Sequence, residues 1–380
     1  MANIIDYLDW RGDVPFKLDP FNEVDNVLLC ELVYSAFDGI VPGPNLKTKL
    51  SIEEVCELFF SKYTEEELMA RKAMTKLAPF LMKKMAHSKR YGGTKVSGFV
   101  NEVDKDKQIQ FAVCTFYLPD GSIFVAFRGT DDTLIGWKED FNMCYSDGTG
   151  GQLKAVNYLN ENFARTMKPI RIGGHSKGGN FAVYAAAFCK THIKDNIIAV
   201  YNNDGPGFIP EILKTDEYKS ILKRVKRFIP TDSIIGMLMY TKTKPAIIVS
   251  DNKGINQHDL LSWHVQRNKF EYATAISSSS VMIDEVIKKW ALRFDYETRA
   301  IFWDIFFESL ESSGATKMSQ ITSKKVKSVA TLTREIQQLD PENQAIMIDV
   351  LKHLVVEGGD SIKSTLISKL PKNVIIRKKE

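Results

Sequence analysis

The sequence predicts an α/β protein with a mainly parallel sheet and helices on both faces. A helical insertion precedes the sheet and a helical region follows it. Three observations carry this. Between residues 96 and 250, short apolar runs alternate with helical segments, the pattern of strands joined by crossovers. Ser122-Ile123-Phe124-Val125-Ala126-Phe127 is almost continuously apolar, as a strand buried on both faces must be. Gly174-His175-Ser176-Lys177-Gly178 follows a short strand, Lys168 to Ile172, and precedes an alanine-rich helix, Phe181 to Phe188. Alanine lets that helix pack close to a sheet.

In chain order, residues 1–50 read as an irregular arm and a first core helix, with Val24, Val27, Leu28 and Leu32 in one stripe. Residues 51–93 read as a helical insertion. Ser51-Ile52-Glu53-Glu54 and Thr64-Glu65-Glu66-Glu67 are capping boxes, because each hydroxyl is followed three residues on by a carboxylate that reaches back. Pro79 kinks or restarts this segment, and Tyr91-Gly92-Gly93 ends it. Its Met74, Leu77, Leu81, Met82 and Met85 are either a candidate lid over an apolar pocket or a core face. Residues 94–268 hold the sheet. Strands at 96–103, 109–117 and 122–127 form an antiparallel entry, turned at Leu118-Pro119-Asp120-Gly121. Strands at 197–202, 225–230 and 246–250 continue the sheet beyond the serine. Residues 269–380 show helical periodicity over Val281 to Phe307, Ser323 to Leu339 and Glu342 to Val356, a region expected to lack chemistry.

Composition excludes several classes. In 380 residues, 51 basic side chains nearly balance 47 acidic ones, which argues against nucleic acid as a partner. No run of 18 apolar residues is present, so no transmembrane segment is expected. The first 13 residues carry acids where a secretory leader needs a basic start and an apolar centre. Cys30, Cys56, Cys114, Cys144 and Cys189 form no close pair and read as free thiols. Both features point to the cytoplasm. No metal or other cofactor is expected: there is no His-x-x-x-His or Cys/His cluster, and Asp251-Asn252-Lys253-Gly254 does not complete a calcium loop.

The chemistry centres on Gly174-x-Ser176-x-Gly178, the spacing of a nucleophile elbow. A serine hydroxyl becomes a useful nucleophile when it is held on a sharp turn beside a base. Acyl transfer also needs donors for the oxyanion. Lys177 supplies one backbone N–H, and Thr130, ending the strand 122–127 in Phe127-Arg128-Gly129-Thr130, is placed to supply the other. Among six histidines, His258 follows a strand and a loop, where the base belongs; His264 is its rival. The acid must lie between serine and histidine. Asp232 after the strand 225–230 is preferred, with Asp204 and Asp251 as alternatives. Asp131 and Asp132 beside Thr130 oppose an oxyanion unless they turn away, toward Arg128 or Lys177.

Phe127-Arg128-Gly129-Thr130, then Trp137-Lys138-Glu139-Asp140, then Gly174-His175-Ser176-Lys177-Gly178-Gly179, resemble the class 3 (fungal-type) lipases over residues 95–265. The separation of Asp232 from Ser176 is similar to that family's pattern. The longer motifs Asp6 to Asp13, Pro20 to Asp25, Tyr201 to Gly207 and Gln257 to Trp263 resemble an uncharacterised bacterial lipase-like family. The resemblance implies an α/β-hydrolase fold and the serine nucleophile but fixes no substrate; the elbow, the Phe-Arg-Gly-Thr strand end and the placed Asp and His lead to the expectation of a serine hydrolase acting on carboxylic esters of apolar or lipid type. The partner it implies is a small-molecule or lipid ester, with transient contact to a membrane surface. Two other functions use the same residues: a catalytically silent scaffold, and transfer of the acyl group to an acceptor other than water.

Overall fold

The structure, a computed structural model, describes residues 1–312 apart from 72–74 and 132, together with 316, 317, 341 and 344. Eight strands form one sheet whose spatial order follows chain order. They are β1 (Leu50–Ser51), β2 (Lys95–Asp104), β3 (Ile109–Tyr117), β4 (Ile123–Phe127), β5 (Ile170–His175), β6 (Ile197–Asn203), β7 (Val225–Pro230) and β8 (Ala246–Ile248). The first four pair antiparallel, and β4 to β8 run parallel. Gly121 turns the β3–β4 hairpin at φ 85°, as the Pro-Asp-Gly signal requires. The chain is an α/β-hydrolase fold.

The helices are α1 (Ile4–Arg11), α2 (Glu23–Leu32), α3 (Ile52–Lys62), α4 (Glu65–Met69), α5 (Ala78–Ala86), α6 (Leu134–Asn142), α7 (Gly150–Asn162), α8 (Lys177–Phe188), α9 (Thr191–Lys194), α10 (Pro210–Lys214), α11 (Asp216–Ile221), α12 (Ser278–Arg293) and α13 (Tyr296–Ser312). Parallel strands laid down in one direction with right-handed crossovers put every crossover helix on one face. The core shows this. Phe111, Val113, Val125, Phe127 and Val200 point to the face covered by α7, α8, α10 and α11. Their neighbours Ala112 aside, Cys114, Phe124, Ala126, Ala199 and Tyr201 point to the other face. Something else must cover that second face, and α1, α2, α3 and α5 do so.

The stretch 51–93 is therefore part of a core layer, the core-face alternative for its apolar residues. β1 pairs with β2, and Ile52, Phe59, Leu81, Met82 and Met85 are buried in the same cluster as α2. Both predicted capping boxes form, at Ser51 and Thr64. Met74 lies outside the described residues.

Residues 1–20, expected as an irregular arm, instead contain α1, capped by Asn3, and are held by a buried polar network. Asp25 and Arg90, both fully buried, form an ion pair with Arg90 Nη2 2.5 Å from Asp25 Oδ2. Tyr7 Oη donates to Asp25 at 3.0 Å, Tyr91 Oη donates to the same oxygen, and Arg90 Nη1 donates to the carbonyls of Val14 and Asp19 at 3.0 and 2.9 Å. A buried ion pair survives only when such bonds satisfy its remaining groups. Asn22 joins this network to α2: it caps the helix and donates to Tyr7 Oη at 2.8 Å. Asn22→Ala is expected to lower stability by about 1–2 kcal/mol, read as a lower urea midpoint at unchanged slope.

The described part of the C-terminal region does not stand apart from the sheet. α13 packs Phe307 and Leu310 on Leu134 of α6, and Trp303 stacks on Phe141 at 3.8 Å between ring centres. α12 starts where Ser277 N–H donates to Thr231 O at 2.9 Å, just beyond β7. The helix expected at 323–339, that expected at 342–356 apart from residue 344, and His353 lie outside the described residues. Among the described residues, no helix is long and apolar enough to cross a membrane. All five cysteines are free thiols.

Candidate active site

β5 delivers Ser176 to its C-terminal end, and α8 starts at the next residue. Ser176 has φ 57° and ψ −132°. A non-glycine residue rarely adopts that conformation, which costs on the order of 1–3 kcal/mol and persists only when the surroundings enforce it. Two glycines permit the enforcement. A Cβ on Gly174 would collide with the backbone of Gly178, and one on Gly178 with the carbonyl of Phe127. Ser176 N–H donates to Asn203 O at 3.0 Å, tying the elbow to β6. No side chain caps α8. The first N–H groups of a helix have no partner within it, so the Lys177 N–H remains a donor at the serine.

His258 ends the short helical turn Gly254–His258, in the loop after β8. Its Nδ1 lies 2.6 Å from Oδ2 of Asp204, which is 1% exposed. Ser233 Oγ and Gly236 N–H donate to the other carboxylate oxygen at 2.5 and 3.2 Å. The partner of His258 is thus Asp204, which corrects the preference for Asp232. The reason lies in the sheet. Asn203 is in register with His175, so Asp204 emerges directly beside the elbow on the adjacent strand. Asp232 comes from β7, one strand farther out. Its carboxylate accepts from Gly254 N–H at 3.0 Å and Gln257 Nε2 at 3.2 Å, and so shapes the loop that carries His258.

His258 is held close to the elbow as well as to its acid. Its ring centre is 4.3 Å from that of His175. Among the described residues no hydrogen bond joins His258 to Ser176 Oγ, and such bonds often tighten only around substrate. His264, the rival base, has both ring nitrogens occupied, Nε2 by Asp251 at 2.7 Å and Nδ1 by Glu271 at 3.1 Å. Asp251 is engaged there and not with His258.

Thr130, the expected oxyanion donor, gives its hydroxyl to Asp140. Burial raises the Asp140 carboxyl to about 6, against the pull of nearby Lys177. Lys177 sends its side chain down to Glu139 at 3.2 Å, both ends fully buried. Glu139 also accepts from Gln110 N–H at 2.9 Å and Gly151 N–H at 2.6 Å. This one carboxylate therefore joins α6 to β3, α7 and the elbow. Asp131 faces Arg128 at 3.6 Å and accepts from Thr133 N–H, so its charge is turned from the serine; Asp132 lies outside the described residues. Among the described residues, no group of His, Cys, Asp and Glu is suited to hold a metal ion.

The model of the Mbeg1-like family matches residues 85–308. The chain belongs to the Mbeg1-like family. The matched span runs from α5 into α13 and contains Thr130, Ser176, Asp204 and His258, so the Mbeg1-like portion carries the whole site. No curated protein matches the chain. Among solved structures, the crystal structure of M37 lipase is similar at 17% identity, over 56% of this chain and 68% of that one, with a TM-score of 0.34.

Proposed function

We propose that this protein is a serine hydrolase that cleaves carboxylic esters with apolar, lipid-type acyl groups, following the class 3 lipase pattern. The observation that carries the reading is a strained Ser176 and, against the residue before it, a histidine that is itself bonded to a buried carboxylate. In this mechanism Ser176 Oγ attacks the ester carbonyl carbon while His258 Nε2 takes its proton. Asp204 holds the Nδ1–H tautomer and stabilises the imidazolium. The backbone N–H groups of Lys177 and Thr130 receive the oxyanion, since the Thr130 hydroxyl is committed to Asp140. His258 then protonates the leaving alcohol, and water releases the acid from the acyl-enzyme by the reverse steps.

The test is labelling with a fluorophosphonate. One label per chain is expected, on Ser176 by peptide mapping, and none on Ser176→Ala, whose circular dichroism matches the wild type. A folded wild-type chain that takes no label overturns the proposal.

A further inference from the structure

We propose that Tyr34 and His175 are positioning residues that lock three loops, those of Gly129, Ser176 and His258, into one arrangement. The assignment follows from hydrogen-bond logic. His175 Nε2 lies 2.9 Å from the carbonyl oxygen of His258. A carbonyl only accepts, so Nε2 carries the proton and donates. His175 Nδ1 is then a bare acceptor, and Tyr34 Oη, 2.9 Å away, must donate to it. Tyr34 Oη keeps its lone pairs, and Gly129 N–H donates to it at 3.1 Å. The chain of bonds thus runs from the loop carrying Thr130, through α2's C-terminal turn, through the residue before the nucleophile, to the backbone of the base. Each donor and acceptor has one partner that its chemistry permits, so the direction of every bond is fixed.

The surroundings keep it so. His175 is 3% exposed, and burial, then the facing His258, holds its imidazole well below the usual value and so neutral. Burial pushes the Tyr34 phenol well above its ordinary value, with Glu31 adding to the effect, so the hydroxyl proton stays in place. The rings meet edge-on at 5.8 Å. Tyr34 lies outside the span matched by the family model, whereas the three groups it joins lie inside it. The relay's catalytic consequence rests on the hydrolase reading above; its geometric consequence does not. A shift of the His258 peptide moves the ring against Asp204, and small displacements of a base are expensive.

Two readouts separate these consequences. In the full-length wild type, the short Nδ1–H bond between His258 and Asp204 is expected to give a low-field proton resonance. Tyr34→Phe and His175→Leu are expected to move or broaden it, and His175→Gln, whose amide N–H reaches the same carbonyl, to restore it in part. The fluorophosphonate labelling rate should fall about ten- to a hundredfold in Tyr34→Phe and His175→Leu, less in His175→Gln, with thermal midpoints near wild type. An unmoved low-field resonance in both Tyr34→Phe and His175→Leu overturns the relay, whether or not the wild type is labelled. A wild type that takes no label while the resonance moves overturns the hydrolase reading and leaves the relay standing as geometry.

Discussion

Asp204→Asn is expected to hydrolyse a p-nitrophenyl ester about 10⁴-fold more slowly in kcat than the wild type, whereas Asp232→Asn stays within about tenfold. The two substitutions are alike chemically and differ in what the carboxylate touches. Ser233 Oγ and Gly236 N–H both donate to Asp204 Oδ1, so an asparagine places its carbonyl oxygen there. Its amide nitrogen then faces His258 Nδ1, which must become an acceptor. The ring proton moves to Nε2, and the base can no longer take a proton from Ser176. Asp232→Asn removes only charge from a loop contact, because Gly254 N–H and Gln257 Nε2 still find a carbonyl oxygen. Single-turnover acylation by stopped flow measures the difference. Equal losses in the two variants would contradict the assignment of Asp204.

Glu31→Gln is expected to be more stable than the wild type at pH 8, with the gain shrinking toward pH 5. Glu31 is 1% exposed on α2, and among the described residues neither carboxylate oxygen has a hydrogen-bond partner. Burial, reinforced by the charge of Asp259, raises its pKa from 4.5 to about 8. The sign follows directly. Below about pH 4.5 the group is protonated in both folded and unfolded chains, and it costs nothing. Between about 4.5 and 8 the unfolded chain releases the proton while the folded chain retains it, so stability falls as pH rises. At about 1.4 kcal/mol per unit, the loss over the window is on the order of 5 kcal/mol. Glutamine keeps the shape and removes the titration. Urea midpoints at pH 5 and pH 8 check this, and a variant-minus-wild-type difference that does not grow with pH would refute it.

Much of the architecture was legible because periodicity reports burial. The strands at 109–117 and 225–230 fall where the apolar runs placed them, and the glycine-flanked serine fell on a strand-to-helix turn. His258 was reached by elimination among few histidines; in the structure its Nδ1 lies against Asp204. Asp232 drew the preference because its spacing matched a family pattern, but adjacency in the sheet, not distance along the chain, decides which carboxylate reaches the ring. For 51–93 the apolar residues left lid and core face both open, because only the one-directional crossovers of the sheet show that a whole face needs cover. Tyr34 and Glu31 left no signal: each sits in or just after α2, whose apolar stripe already explained that stretch. Glu139 and Asp140 were visible only as part of a resemblance, since a charged helical turn reads as solvent-facing until its burial is known.

Strands that follow one another in the chain also lie side by side in the sheet. During synthesis each new strand therefore meets a finished edge as it leaves the ribosome, and no gap waits for a later segment to be threaded in. The covering layer of α1 to α5 emerges before most of the surface it shelters. Ser176 appears midway, yet Asp204 and then His258 follow it, so a nascent chain has its scaffold well before it has a working base. On the proposed mechanism, growth in this order keeps an unfinished polypeptide chemically silent until its last sheet strand is in place.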